Sequence, residues 1–358
     1  MSIKRHANRG FSLVELMIAM GIGVMLFSGI LTIFTSSRQS FDLTNEISAV
    51  QENARFALER LANDIRMAGF QGCATSTDSA AAVQASNAPT TNPAQTAVRG
   101  AEVTSAGWLP SQPAELAGIS PEPRVGSDVL MLQLAEPVTE RLATAMLTPS
   151  DNLELESNSI GLAAGDLAVV ADCQSADLFR VTAVSGTTIE HGAGSNFSGN
   201  LQKAYSPGAT TATDPTRVMK YSYRVYYVAD TGRTNTSGDP VYSLYVYDME
   251  DIDNDDPAEE LIEGVEFLQL QFGAETGLNV TSYFSADGAN YDPDEITLVR
   301  LGMLMHTIEE SADEEDTRTY SVLDEDIGPQ GSSGTGHGND KRARMVFTSS
   351  VKIRNRRL

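Results

Sequence analysis

Residues 11–34 read FSLVELMIAMGIGVMLFSGILTIF, and no other feature constrains the chain as much. The only charge in the run is Glu15; from Leu16 to Phe34 there is none. As a helix rising about 1.5 Å per residue it would be about 36 Å long, enough to cross a hydrocarbon layer of about 30 Å. An ordinary secretory signal carries a shorter apolar stretch, about 7–15 residues, ahead of a small-residue cleavage site. Lys4, Arg5 and Arg9 precede the run and only Arg38 follows it closely. That bias places the N-terminus in the cytoplasm and the rest of the chain outside. A carboxylate just inside such a run is costly, and intramembrane ionisable groups are usually functional.

The helical pattern continues past the membrane. Leu43, Ile47, Val50, Ala54, Ala57, Leu61, Ile65 and Ala68 recur at steps of three and four, with Leu58 widening the stripe. Arg55, Glu59, Arg60, Asn63, Asp64 and Arg66 fall on the other face, the first proline is Pro89, and Gly69 offers a stop. The expectation is one helix over about 11–68, about 87 Å long. Residues 11–40 would lie in a membrane or filament core, and residues 41–68 would lie against a head that includes everything to 358. Gly21, Gly23 and Gly29 would let neighbouring helices approach or let the helix loosen.

Residues 74–126 are rich in Ala, Thr, Ser, Gly and Pro and read as a long irregular connection, with a short strand near Glu102–Thr104. Strand-like runs follow at 128–134, 166–170 and 178–184. Those at 221–228 and 241–248 are joined by a turn-rich segment and read as a hairpin. Runs at 261–272, 296–305 and 343–353 complete an antiparallel set. A long N-terminal helix followed by strands means α+β. The net charge of −23 repels nucleic acid, so no nucleic-acid partner is expected.

The pattern RGFSLVELMIAM (Arg9–Met20) is similar to the class III signal of type IV pilins and type II secretion pseudopilins. The resemblance implies cleavage by a prepilin peptidase between Gly10 and Phe11, N-methylation of Phe11, and a docking role for Glu15 when subunits join; residues 1–10 would be the cytoplasmic leader. The segments 51–73, 165–182, 260–273 and 346–358 resemble PilW-type minor pilins. That likeness implies an inner-membrane protein with a periplasmic head. It would help start pilus assembly, then sit at or near the tip on the cell surface and serve adhesion or twitching motility. The implied partners are other minor pilins, the major pilin, the inner-membrane assembly platform and a tip adhesin. A minor pseudopilin of a secretion system shares the leader and helix and is the nearest alternative. A membrane-tethered periplasmic binding protein or enzyme is the alternative of another class.

The residues themselves do not suggest an enzyme. His6, His191, His306 and His337 show no metal-ligand spacing, and His191 and His337 sit in glycine-rich stretches expected to be solvated. Neither a phosphate-binding loop nor a nucleophile elbow is present. Asp251, Asp253 and Asp255 have the spacing that lets one loop offer several oxygens to calcium. Asp256, however, stands where the sharp turn needs glycine, and Ile262 where a bidentate glutamate belongs. A solvated acidic loop is therefore expected, with no cofactor, and calcium is the alternative. Cys73 and Cys173 are the only cysteines. Export would permit a bridge; it would tie the end of the helix to the sheet, the other reading being two buried thiols.

Overall fold

The computed structural model describes residues 12–73, 81–86, 88, 96–208, 216–249, 258–276, 279–286, 292–330 and 336–355. It has the α+β, pilin-like architecture expected of the pattern. Helix α1 spans Leu13–Met67, 55 residues, roughly 83 Å end to end. Residues 12–42 are exposed throughout; Gln39 Nε2 donates to Asp313 of the head, and the helix is buried against the head only beyond residue 42. There Val50, Ala54, Ala57, Leu61 and Ile65 are buried, as their spacing predicts. Full burial of a side chain such as Leu61 or Ile65 contributes about 1.5–3 kcal/mol. One residue assigned to the polar face is misplaced: Asp64 is 2% exposed and points into the head.

The helix stops at Ala68, which leaves helical geometry, and Gly69 takes a positive φ of 74°. Its last carbonyls meet the far end of the chain. Arg354 N donates to Arg66 O, and Asn355 Nδ2 donates to the oxygens of both Arg66 and Met67. Gly69 N donates to Gln133 O at 2.8 Å, which fixes the helix end against a central strand.

In chain order the strands begin with β1 (Ala82–Val83), β2 (Val98–Thr104), β3 (Gly107–Leu109), β4 (Ser127–Arg141) and β5 (Leu153–Glu154). Next come β6 (Leu167–Ala171), β7 (Ala176–Arg180), β8 (Ala183–Ser185), β9 (Thr188–Glu190), β10 (Arg217–Thr234) and β11 (Pro240–Asp248). The series ends with β12 (Glu259–Glu263), β13 (Val265–Thr276), β14 (Asn279–Phe284), β15 (Ile296–His306), β16 (Tyr320–Val322), β17 (Glu325–Ile327) and β18 (Arg344–Lys352). Strand β2 contains and lengthens the short strand expected near Glu102–Thr104, while β1 and β3 occupy part of the stretch expected to be irregular. The expected hairpin is β10–β11, in register from Arg224↔Asp248 to Asp230↔Tyr242.

The strands do not form one antiparallel set. A nine-stranded sheet runs β1-β7-β6-β10-β4-β2-β3, with β11 on β10 and β12 on β11; a second sheet runs β14-β13-β15-β18. The β1–β7 pair is parallel. The division falls inside the run expected to be a single strand over 261–272. Gly264 takes φ +84°, and a Cβ there would lie 2.8 Å from His306 O. Only glycine fits that bend, and it sends β12 to one sheet and β13 to the other. Gly100 of β2 lies against the Phe272 ring of β13, so at this point the ring packs directly on the backbone of the other sheet.

The largest core lies between α1 and both sheets, with Leu130, Leu132, Tyr226, Leu268, Leu301 and Met303 facing Leu61 and Ile65. The helix ends level with Gln133, and Ala135 N donates to Phe70 O. Strand β4 then continues six residues to Arg141, about 20 Å further at the strand rise. It carries a second core, with Leu142, Leu153, Phe179, Ile189, Tyr205 and Val218 at its centre. Residues 142–205 thus build a lobe beyond the helix end, on the side away from the exposed apolar half.

Candidate assembly interface

Two features define the site: an apolar helix stretch, residues 13–34, left exposed by the described residues, and a head clamped to the other half of the helix. Met17, Met25, Phe27, Ile30 and Phe34 are all exposed, Met25 by 78%. An apolar surface of this extent on an isolated chain is a membrane or subunit interface. Its length and composition suit a membrane span.

Glu15 lies in the first turn of this half. Ser12 caps the helix: Glu15 N donates to Ser12 Oγ at 3.4 Å, and Ser12 N donates to Glu15 Oε2 at 3.0 Å. This reciprocal box satisfies two donors that a helix start leaves open. It also puts a carboxylate where the helix dipole favours one. Gly10 and Phe11, the expected processing pair, lie outside the described residues, as do Asp251, Asp253 and Asp255. Among the described residues no group of three His, Cys, Asp or Glu side chains could hold a metal.

The clamp is ionic as well as apolar. Arg224 of β10 reaches Asp64 of the helix through Nη1 at 3.1 Å, Asp248 of β11 through Nε at 2.9 Å, and Glu136 of β4. Tyr226 donates its hydroxyl to Asp64, and Arg60 Nε donates to the Tyr226 oxygen at 3.3 Å. Burial alone would lower the Arg224 guanidinium, but the carboxylates of Asp248, Asp64 and Glu136 outweigh it and hold it above its usual range. One arginine thus fastens helix, strand β4 and the β10–β11 hairpin together. Arg60 and Asp64 stand four apart on the helix, which reads as a surface pair; Arg60 does stay exposed, and only the strand partners, hidden in YSYRVYYV, draw Asp64 under the head.

Cys73 and Cys173 are joined, with Cα atoms 4.6 Å apart. Cys173 lies between β6 and β7, so the bridge ties the helix end to the large sheet, as the sequence led us to expect.

A second charged cluster underlies the small sheet. Arg344 Nε donates to Glu266 Oε2 at 2.7 Å, and its Nη1 and Nη2 reach Asp340 at 2.9 Å. Arg342 Nε donates to Asp340 Oδ2 at 2.8 Å. Glu266 and Arg344 are fully buried. Burial raises the Glu266 carboxyl, but the cationic form of His306, Arg344 and Arg124 together hold it down at about 2. His306 stays neutral to about 4, because burial penalises its cation beyond what Glu266 restores. The expected solvated histidines are a correction. His191 is buried, with Nε2 at 2.9 Å from Asp151 O, and His337 is buried, with Nε2 at 2.7 Å from Arg318 O. Glycine-rich sequence around them marks loops, but both rings are taken into the folded head.

A model of the prokaryotic N-terminal methylation motif matches residues 5–31. With the single apolar helix and the strand-built head, it makes the chain a prepilin-like protein. A model of the type IV pilus-assembly protein W matches residues 225–355, which run from the middle of β10 past the end of β18. Over these two stretches the chain is similar to PilW-type prepilin-like proteins, and the matches support a minor pilin related to type IV pili. Both families are structural pilus components. No curated protein and no solved structure gives a significant match.

Proposed function

We propose that this minor pilin primes type IV pilus assembly and is carried at or near the pilus tip. The observation that carries the reading is the lobe of residues 142–205. It rises past the end of the helix and lies outside both family matches. Subunits stacked by their helices leave little room above a head, and a lobe of this size is best accommodated where no further subunit stacks. Residues 1–10 are the cytoplasmic leader, 11–40 the membrane and filament-core half, and 41–358 the exported head. The head begins in the periplasm, held by a single pass through the inner membrane, and reaches the cell surface with the fibre. Prepilin peptidase cuts between Gly10 and Phe11. The new amino group, cationic at neutral pH by its ordinary pKa of about 7.7–8.0, then stands one turn from Glu15. In an apolar layer each charge needs a partner. Glu15 receives the amino terminus of a neighbour as that subunit leaves the bilayer, in place of the Ser12 N–H it holds in the single chain.

The test is complementation of a deletion strain with wild-type, Glu15→Ala and Glu15→Gln chains, together with gold labelling of a tag in the distal lobe. Both variants should be cleaved and inserted yet give few pili, and the label should mark fibre ends. Normal piliation by Glu15→Ala would remove the docking role. Label spread evenly along fibres would remove the tip assignment.

A further inference from the structure

Strand β18 closes one side of the small sheet, so its far side is an edge. Two bonds fix the phase of its ladder: Ile353 N to Thr297 O at 2.9 Å and Thr307 N to Ala343 O at 3.0 Å. Between them the register runs unbroken from Leu298↔Lys352 to His306↔Arg344. In an antiparallel ladder, alternate residues exchange both backbone bonds with the partner strand. Here those are the odd-numbered ones. Val346, Thr348 and Ser350 therefore aim N–H and C=O away from β15, and no backbone partner meets them among the described residues.

Nothing in the sequence guards the middle of this edge, residues 345–351. Exposed edges are normally blunted by charge, proline, a bulge or shortness. Strand β12, which ends the large sheet, has three glutamates and a register break, and β1 and β3 are two and three residues long. Between Arg344 and Lys352, β18 reads MVFTSSV, without charge, proline, glycine or bulge. Thr348 and Ser350 are exposed.

We propose that β18 is a docking edge that takes an extended, carboxylate-bearing strand from the head of a neighbouring pilin subunit. Strand addition of this kind draws its affinity from main-chain bonds. The charge of the partner follows from the end of the edge. Arg354 is exposed at that end, on a chain otherwise strongly acidic, and the sequence after it adds Arg356 and Arg357. The identity of the partner follows from position. Arg354 and Asn355 bond the last carbonyls of α1, and Val351 and Ile353 share a core with Leu61 and Ile65. A subunit that lays its helix along α1 brings its own head beside β18. The proposal rests on the assembly reading above.

Photo-cross-linking in the producing cell separates the two. The full chain carries Ser350→p-benzoylphenylalanine on the edge or Met25→p-benzoylphenylalanine on the apolar helix, and joined peptides are sequenced by mass spectrometry. The Ser350 probe should capture an acidic, extended segment of another pilin head. Thr348→Pro removes one outward N–H and leaves the bonds to β15; it should cut capture at least about tenfold while the Cys73–Cys173 bridge still forms. Thr348→Glu should cut capture and Thr348→Lys should not, and neither change touches a ladder bond. Capture of pilins by Met25 but only of its own chain by Ser350 overturns the docking edge and leaves assembly standing. Capture of no pilin by either probe overturns both.

Discussion

Replacing Arg224 with methionine should be the most damaging single change in the head that touches no apolar contact. The methionine stem keeps much of the packing, but three carboxylates lose their common cation. Asp64 is 2% exposed, and Glu136 and Asp248 are each about three-quarters covered. Removing one partner of a buried ion pair costs about 3–5 kcal/mol, because the stranded charge is left in a poor solvent. That is a large part of a typical stability of about 5–15 kcal/mol. Asp64 belongs to the helix and Arg224 to the sheet, so the loss should appear as a helix freed from its head. The assay is urea unfolding of the processed chain in detergent, followed by tyrosine fluorescence, with trypsin sensitivity near Arg66 as a local readout. A second substitution, Asp64→Asn, removes the worst stranded charge and should restore roughly 1–2 kcal/mol in the Arg224→Met background. The same Asn change in the wild-type chain should destabilise it. The reasoning is refuted if Arg224→Met lies within about 0.5 kcal/mol of wild type, or if Asp64→Asn has the same sign in both backgrounds.

Two further outcomes follow. His306 is neutral in the folded head down to about pH 4 and titrates near 6.5 when unfolded. As pH falls through that window the unfolded chain takes up a proton that the folded one refuses, so stability should drop by up to about 3 kcal/mol; Glu266 should add a second loss between about pH 4.5 and 2. Burial raises the Asp128 and Asp177 carboxyls, which act in the opposite sense, so the diagnostic is the difference curve between wild type and His306→Gln, and parallel curves would remove the histidine from the account. Opening the Cys73–Cys173 bridge, which closes a loop of 100 residues, should cost roughly 2–4 kcal/mol and loosen β1 (Ala82–Val83) from β7, opening it to proteolysis before the rest of the head; equal digestion of reduced and oxidised protein would contradict this.

The helix was legible because two independent patterns specify it: a charge-free run with one glutamate, then apolar residues at steps of three and four. The β10–β11 hairpin was legible because aromatic and β-branched residues alternate on both sides of a turn-rich segment. The second sheet was not. Residues 261–272 read as one strand, and the glycine that breaks it is a single residue whose φ is dictated by the carbonyl of His306, forty-two positions away. Nor was the Asp64–Arg224 clamp legible, since a helix pattern assigns Asp64 to solvent and only the tertiary fold supplies its partners. Of the expected site, Glu15 is placed at the head of the apolar helix and the disulfide is formed.

The bond between Cys73 and Cys173 also decides how the head bears a pull. A load applied to the distal lobe reaches β6 and β7, and from there it has two routes to the helix. The first crosses the hydrogen-bonded ladders through β10 and β4, whose bonds would open in succession. The other is the bridge, six residues from the last turn of α1. The stiff covalent route takes the tension first, so the sheets are shielded and the helix is drawn from its own end. The lobe is thereby tethered to the end of helix α1 in the manner of a cable splice, with the strand ladders left as slack.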